Sequence, residues 1–578
     1  MNLSYFKSIV LAFVAVSLAA CNDDFLDATN PNEISGDDFF RNRIQAQQAV
    51  NAIYANAQRQ GMYSRHGFLL ADLLTQDFIG ASSLGGRLRQ ILNYTFDGSS
   101  PFITRVWDAH YGGISKCNYV LDGLYTIQNN LPADITPSDF NDFTGQAHFF
   151  RAWHYSWLVS YWGGVPIETQ PAGIEEFFDR PRVSVDSVFA VIFDDLELAY
   201  EKLPEPGGEA DPGRVHKAAA LAHWAKMHLY HGDYEQARAL FEEFFDKYYE
   251  NTPDAVEAVP GGLHTRFNLV NDYFQNFNKN GELNQESILE IQYTRIYTND
   301  NLFRPDGTGI GEVNLRGMEY GFSAWGNVRI SPSLYNSYED TVVTSGGFDY
   351  RYSFDPRFYR SFYLPCDRFN NMQNVITIPT TSFREGYYGS DCLAAGNAEL
   401  QDTLAYTAKY QVYDTELKEE NRSGGINFRV IRLADVMLMY AEALNELGLQ
   451  ADALSWINKV RKRARENTNL SYPIHLSGIA AVNLPDYGTP LMDQRGFPAV
   501  SQDDIFEIIR HERRIELWGE QVLHFDQRRW LGTYGAPAKT GIELPDGFVT
   551  GMHELLPIPT PELDRNNLIN QEDQNPGY

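Results

Sequence analysis

Apolar residues recur at helical spacing in FFRNRIQAQQAVNAIYANAQ, residues 39 to 58, where Phe40, Ile44, Ala49, Ile53 and Ala57 fall on or near one face. That spacing predicts an amphipathic helix. VWDAHYGGISKCNYVLDGLY carries the same period through Trp107, Tyr111, Ile114, Asn118 and Leu121. A third helical run, GQAHFFRAWHYSWLVSYWGGVP, is rich in aromatics and is stopped by Gly163 and Gly164 before Pro166, as Gly and Pro punctuation ends helices. Trp107 and Trp153 belong to these patterns and are assigned to the core.

Two helix-turn-helix segments share an internal register. In LAHWAKMHLYHGDYEQARALF, Ala225, Gly232, Ala237 and Phe241 stand at offsets 0, 7, 12 and 16, and in MLMYAEALNELGLQADALSWI so do Ala441, Gly448, Ala453 and Ile457. Trp224 and Tyr440 precede the first alanine of each. The pattern resembles the tetratricopeptide unit, in which small residues let two antiparallel helices approach and large ones fill the groove between units. Residues 251 to 425 read differently. They are rich in Gly, Asn, Pro, Tyr and Phe, with short strand-like runs such as SILEIQY. Segments that long without regular periodicity are functional or disordered, and the aromatic content argues against disorder. The predicted fold class is therefore mostly α: tetratricopeptide-like helix pairs at 39 to 250 and 426 to 578 form a scaffold, and 251 to 425 form a loop-rich lobe with short strands, all within one domain, 39 to 578.

The N-terminus changes the picture of where this domain works. MNLSYFKSIVLAFVAVSLAA has one basic residue, Lys7, and an apolar run closed by small residues, the outline of a secretory signal over residues 1 to 20. A membrane span needs about 20 apolar residues, and the run from Ile9 to Ala20 is too short. Leu18-Ala19-Ala20-Cys21 resembles the lipobox of bacterial lipoproteins, which implies acylation of Cys21 and a polar leader from 21 to 38. Several acyl chains on one residue tether firmly, because each buried CH₂ contributes about 0.8 kcal/mol.

Composition excludes some partners. The net charge, 47 − 76 = −29, and the lack of a basic stripe argue against nucleic acid. The 34 Tyr, 36 Phe and 9 Trp are a high share that either a core or a sugar-binding surface would use. Cys117 sits in a helical pattern as a buried thiol, whereas Cys366 and Cys392 could clip one loop in an oxidising compartment.

IRLADVMLMYAEALNELG (431 to 448), INKVRKRAR (457 to 465), IIRHERRIELWGEQVLHFDQRRW (508 to 530) and LLPIPTPELDRNNLINQEDQNPGY (555 to 578) resemble the SusD/RagB family of outer-membrane nutrient-binding lipoproteins. The resemblance implies a cell-surface lipoprotein, not an enzyme, that binds oligosaccharides, or in some branches peptides. It also implies a partner, a SusC-like TonB-dependent outer-membrane transporter on which the protein sits as a lid. Asp23 and Asp24 resemble the acidic signal that sends such lipoproteins to the outer face. Two departures, Leu433-Ala434-Asp435 and Trp518-Gly519-Glu520-Gln521, fall in scaffold segments.

The chemistry-bearing motifs have simpler readings. Arg510, Glu512, Arg513, Arg514, Glu516, Asp526 and Arg528 are spaced for ion pairs that fasten helices. His511-Glu512 lacks the second histidine of a zincin helix. Gly307, Gly309 and Gly311 are not followed by a helix that would complete a phosphate loop. Asn276, Asn278, Asn280 and Gly281 stand at calcium-loop offsets but without the twelfth-position glutamate, so neither metal nor cofactor is expected. A secreted glycoside hydrolase remains an alternative, since the sequence neither names nor excludes a carboxylate pair.

A pyranose offers an apolar face and a rim of hydroxyls, so its site needs an aromatic platform beside planar hydrogen-bonding groups. Two loop stretches supply that mixture. One holds Asp72, Asp77, Arg87, Asn93 and Tyr94; the other holds Tyr293, Tyr297, Asn299, Arg304, Tyr320 and Trp325. These are the candidate ligand-binding residues.

Overall fold

The computed structural model describes residues 39–171, 179–250, 265–294, 313–321, 325–338, 340–345, 348–353, 355–363, 368–370, 375–377, 406–411, 424–467 and 484–578. Cys21, Tyr297, Asn299, Arg304, Gly307, Gly309, Gly311, Cys366 and Cys392 lie outside them.

The N-terminal helices are α1 (Arg43–Ala57), α2 (His66–Leu73), α3 (Gly86–Leu92), α4 (Pro101–Ile127), α5 (Pro137–Trp162), α6 (Val185–Lys202), α7 (Lys217–His231) and α8 (Tyr234–Tyr248); the predicted helical runs fall in α1, α4, α5, α7 and α8, whereas α3 forms within the stretch around Arg87 that reads as a loop. Local chemistry sets their ends. Thr136 and Asp139 form a reciprocal capping box at the start of α5, and Gly163, with φ of 74°, ends it where a side chain would be strained. α5 is buried on nearly every face. Trp107 and Trp153 are both buried, Trp107 meeting Trp162 edge to face at 5.0 Å, so the two tryptophans assigned to the core are in it. The Cys117 thiol is buried on α4.

The shared register of the two hairpins is explained by their packing. The second hairpin is α11 (Leu433–Glu446) and α12 (Gln450–Asn467), following a short α9 (Arg316–Tyr320) and α10 (Pro356–Ser361) in the chain. Gly232 and Gly448 both adopt left-handed backbone, φ of 94° and 78°, at the helix turns. α8 packs on α11. Phe241, Phe245, Tyr440 and Trp456 fill the groove between the pairs, with Phe245 and Trp456 ring centres 4.2 Å apart. The remaining helices used below are α13 (Gln502–Leu517) and α14 (Leu523–Trp530).

Strands occur as two-stranded antiparallel pairs. β1 (Phe78–Gly80) pairs with β3 (Val328–Ile330), and β2 (Ser287–Ile291), the SILEIQY run, pairs with β10 (Phe428–Arg432). The others are β4 (Asp340–Ser345) with β5 (Phe348–Ser353), β6 (Phe362–Tyr363) with β9 (Tyr406–Thr407), and β7 (Arg368–Asn370) with β8 (Val375–Thr377). The fold is mostly helical with few short strands, as the periodicity predicts.

The charge-rich α13 is a fastening. Glu516 accepts from Arg357 at 2.8 Å, from Arg432 at 2.6 Å and from Arg463, while Glu512 accepts from Arg357 at 2.6 Å and Arg461 at 3.3 Å. Glu286 accepts from Arg432 at 2.6 Å and Arg463 at 2.7 Å, and Glu520 joins Arg432 to Lys409. With Asp355 on Arg357, the knot has five cations and five carboxylates, all buried. Burial pushes the Glu516 carboxyl up, but Arg463, Arg432 and Arg357 outweigh it and hold the group well below the usual carboxylate range. The charges come from segments more than two hundred residues apart, so the knot ties the central region to the C-terminal helices.

The asparagine-rich turn around Gly281 is occupied by protein. Arg429 Nη2 donates to the Gly281 carbonyl at 2.5 Å, and Asn278 Oδ1 accepts from the Gly281 N–H. Among the described residues, no group of three or more His, Cys, Asp or Glu is arranged to hold a metal ion.

Candidate functional site

The pairing of β1 with β3 joins the two candidate stretches. Phe78 lies opposite Ile330, Ile79 opposite Arg329 and Gly80 opposite Val328, and the ladder continues where Ala81 N–H donates to Asn327 O at 2.8 Å. The loop and α3 that follow β1 are thereby set beside the segment that precedes β3. Between them lies an open groove of about 500 Å³, lined by Arg65, Arg87, Leu88, Phe102, Trp325 and Asn327 with Ser83, Gly85 and Gly86.

Trp325 is the platform of this groove. It is 42% exposed, whereas Trp153 and Trp162 are almost wholly buried. The Arg65 guanidinium lies 5.5 Å from the Trp325 ring centre, and Glu319 fixes it through Nε at 2.8 Å and Nη2 at 2.7 Å. The other Glu319 oxygen accepts from Asn327 Nδ2 at 2.8 Å. One buried carboxylate thus orients two groups of the rim. A Cβ added at Gly85 or Gly86 would meet nothing within 4 Å, so the floor is bare backbone facing open space. The arrangement offers one apolar ring face and several hydrogen-bond donors, which can hold the C–H face and the hydroxyls of a sugar.

Of the candidate residues within the described segments, Arg87 and Trp325 come together at the groove. Asn93 is exposed at the end of α3, outside the groove lining. Five others are buried in the scaffold, a correction: the side chains of Asp72, Asp77, Tyr94 and Tyr320 make intramolecular contacts, and Tyr293 is enclosed in the core. Asp72 accepts from Tyr320 Oη at 2.6 Å and lies 3.8 Å from Arg316. Burial pushes its carboxyl up to about 6, against the opposing pull of Arg316 and Tyr320. Asp77 pairs with Arg514 at 2.7 Å, and Tyr94 Oη donates to Leu74 O at 2.6 Å. Tyr320 stacks on Phe78 at 5.5 Å, and Tyr293 is buried with its N–H bonded to Asn427 Oδ1. Sequence reasoning missed Arg65 and Asn327. Asn327 stands two residues after Trp325 and could have been found there; Arg65 precedes α2 and nothing local marks it.

A second cleft, about 310 Å³, runs between α4 and residues 559 to 565, where Trp107, Asp108, Tyr111 and Glu562 face it. Its Trp107 is 3% exposed, so it has no accessible ring platform.

The C-terminal half, residues 285–578, matches the model of the SusD family, and residues 24–229 match a model described as starch-binding associating with outer membrane. The chain belongs to the SusD family. SusD-like protein P2 of Formosa agariphila is 25% identical over 99% of both chains, and a SusD-like protein of Bacteroides ovatus is 21% identical over 98% of this chain and 97% of its own. Among solved structures, a SusD homolog from Bacteroides thetaiotaomicron aligns with a TM-score of 0.69 at 20% identity, covering 95% of this chain and 99% of its own. A laminarin-binding SusD-like protein aligns at 0.65 and 24% identity, covering 93% and 100%. Among the described residues, the exposed Trp325 ring contrasts with Trp107, Trp153, Trp162, Trp518 and Trp530, which are buried. Among the described residues no helix is long and apolar enough to cross a membrane.

Proposed function

We propose that this SusD-family protein is a cell-surface lipoprotein, anchored through Cys21 in the outer membrane, that binds oligosaccharide fragments in the Trp325 groove. It delivers them to a SusC-like TonB-dependent transporter as the transporter's lid. The observation that carries the reading is the exposed Trp325 ring beside Arg65, Asn327 and Arg87 over a glycine floor. Family membership and the laminarin-binding relative support it.

No bond need be broken. The described lining of the groove holds no carboxylate, whereas glycosidase chemistry uses two flanking the scissile bond. Ligand favours the closed lid only as far as it touches the closed state better than the open one. The acyl anchor gives such a lid one fixed end, and the helical face packs on the barrel.

Trp325→Ala is expected to weaken binding of the cognate oligosaccharide by about tenfold, or about 1.4 kcal/mol, as read by calorimetry. Unchanged affinity would remove the groove from the ligand path. Cys21→Ala should move the protein from the membrane to the soluble fraction. A cross-linking map placing residues 313 to 330 against the barrel would overturn the proposed orientation.

A further inference from the structure

We propose that the glycan taken by this groove is anionic, bearing a uronic carboxylate or a sulfate ester, and that Arg87 reads that charge. The inference rests on the groove being a glycan site. Its basis is an imbalance. The chain has 76 acidic residues against 47 basic ones, yet the described lining of the groove contains two arginines and no acid.

The local accounting of charge sharpens this. Glu319, the carboxylate paired with Arg65, is fully buried and has its oxygens taken by Arg65 and Asn327. It neutralises Arg65 alone. Arg87 is exposed and forms no ion pair among the described residues. Arg89, on the same helix, donates to the carbonyls of Ala81 and Leu84 and likewise has no carboxylate partner among them. Arg105 lies 3.4 Å from His66, whose ring packs on Phe102 in the groove floor. Burial first, then Arg65 and Arg105, hold the His66 ring well below its ordinary range, so it stays neutral.

Arginine is a donor without acceptor capacity, and its planar fork matches carboxylate and sulfate oxygens. A site for a neutral sugar mixes donors and acceptors, because each hydroxyl is both. Here the groove's charged groups are donors alone. In a chain of net −29, an uncompensated positive patch also raises the local concentration of an anion that the rest of the surface repels. Gly85 and Gly86 leave the approach to Arg87 clear of side chains.

The test uses the full mature protein and three oligosaccharides of matched length: neutral laminarin oligomers, oligomannuronate, and a sulfated galactan oligomer. Calorimetry and tryptophan fluorescence follow binding at low and at physiological salt. The expected result is that one anionic probe binds at least about tenfold tighter than laminarin and weakens as salt rises. Arg87→Gln should remove about tenfold of that affinity and flatten the salt dependence, and Arg87→Lys should restore the salt dependence in part. Whichever anionic probe responds separates carboxylate from sulfate. Laminarin binding as tightly as both anionic probes, without salt dependence, would overturn the charge proposal and leave the glycan reading standing. If none of the three binds or perturbs the tryptophan signal, while wild type and Arg87→Gln unfold at the same temperature, the glycan reading fails and this inference with it.

Discussion

Arginine does opposite work at the knot around Glu516 and at the groove beside Trp325. In the knot, four arginines and Lys409 face five carboxylates, and all ten groups are buried. In the groove, Arg87 is exposed without a carboxylate among the described residues. The residue type alone therefore says nothing of role; the count of opposite charges around it does. A balanced set closes on itself and fastens the fold, while an unbalanced one is left to act outward.

Breaking the balance at the knot should give the largest effect. Glu516→Gln leaves Arg357, Arg432 and Arg463 short of a charge in a dry interior, so a loss of about 3–5 kcal/mol is expected by denaturant unfolding. A loss below about 1 kcal/mol would show that the knot tolerates imbalance. Groove ligands should stabilise whatever variant still folds.

The two regions should also answer acid in opposite senses. The Glu516 carboxyl is held below its unfolded value, so its contribution is present above about pH 4.5 and is lost as pH falls through the depressed value. Asp72, on α2, accepts from Tyr320, and burial raises its carboxyl to about 6. There the folded state binds the extra proton, so this site loses stability as pH rises from about 4 to 6. Relative to wild type, Asp72→Asn should gain by on the order of 1–3 kcal/mol between pH 4 and pH 7, and Glu516→Gln should look least harmful in acid. Unfolding midpoints of the three proteins at several pH values check both signs.

This contrast explains how much could be read from the chain. Helices were legible because a 3.6-residue period needs only local information, as in residues 39 to 58 and the hairpins turning at Gly232 and Gly448. The structural role of Glu512 and Glu516 followed from spacing on one helix, but their partners Arg357, Arg432 and Arg463 come from distant segments that no local pattern links. The groove shows the same limit. Its two halves, near Arg87 and near Trp325, were both singled out, yet what brings them together is the short β1–β3 ladder, whose three residue pairs carry little sequence signal. Asp72, Asp77, Tyr94, Tyr293 and Tyr320 look like ligand groups in a loop and prove to be interior, since composition cannot distinguish a polar side chain facing water from one enclosed by the fold.

The finest test of the contrast changes the groove without touching a charge. Gly86 begins α3 without left-handed backbone, and a Cβ there meets nothing within 4 Å. Ala at that position should stabilise the fold slightly, by about 0.4–1 kcal/mol, by restricting the unfolded chain. It also places a methyl group on the floor that a ligand must approach, so oligosaccharide affinity should fall by a few-fold at most while the unfolding temperature rises. A bulkier Gly86→Leu should deepen the affinity loss, because the added volume can only extend into open space. If both variants bind as wild type does, the ligand lies along the Trp325 side and never reaches the glycine floor, and the groove is narrower in use than in shape.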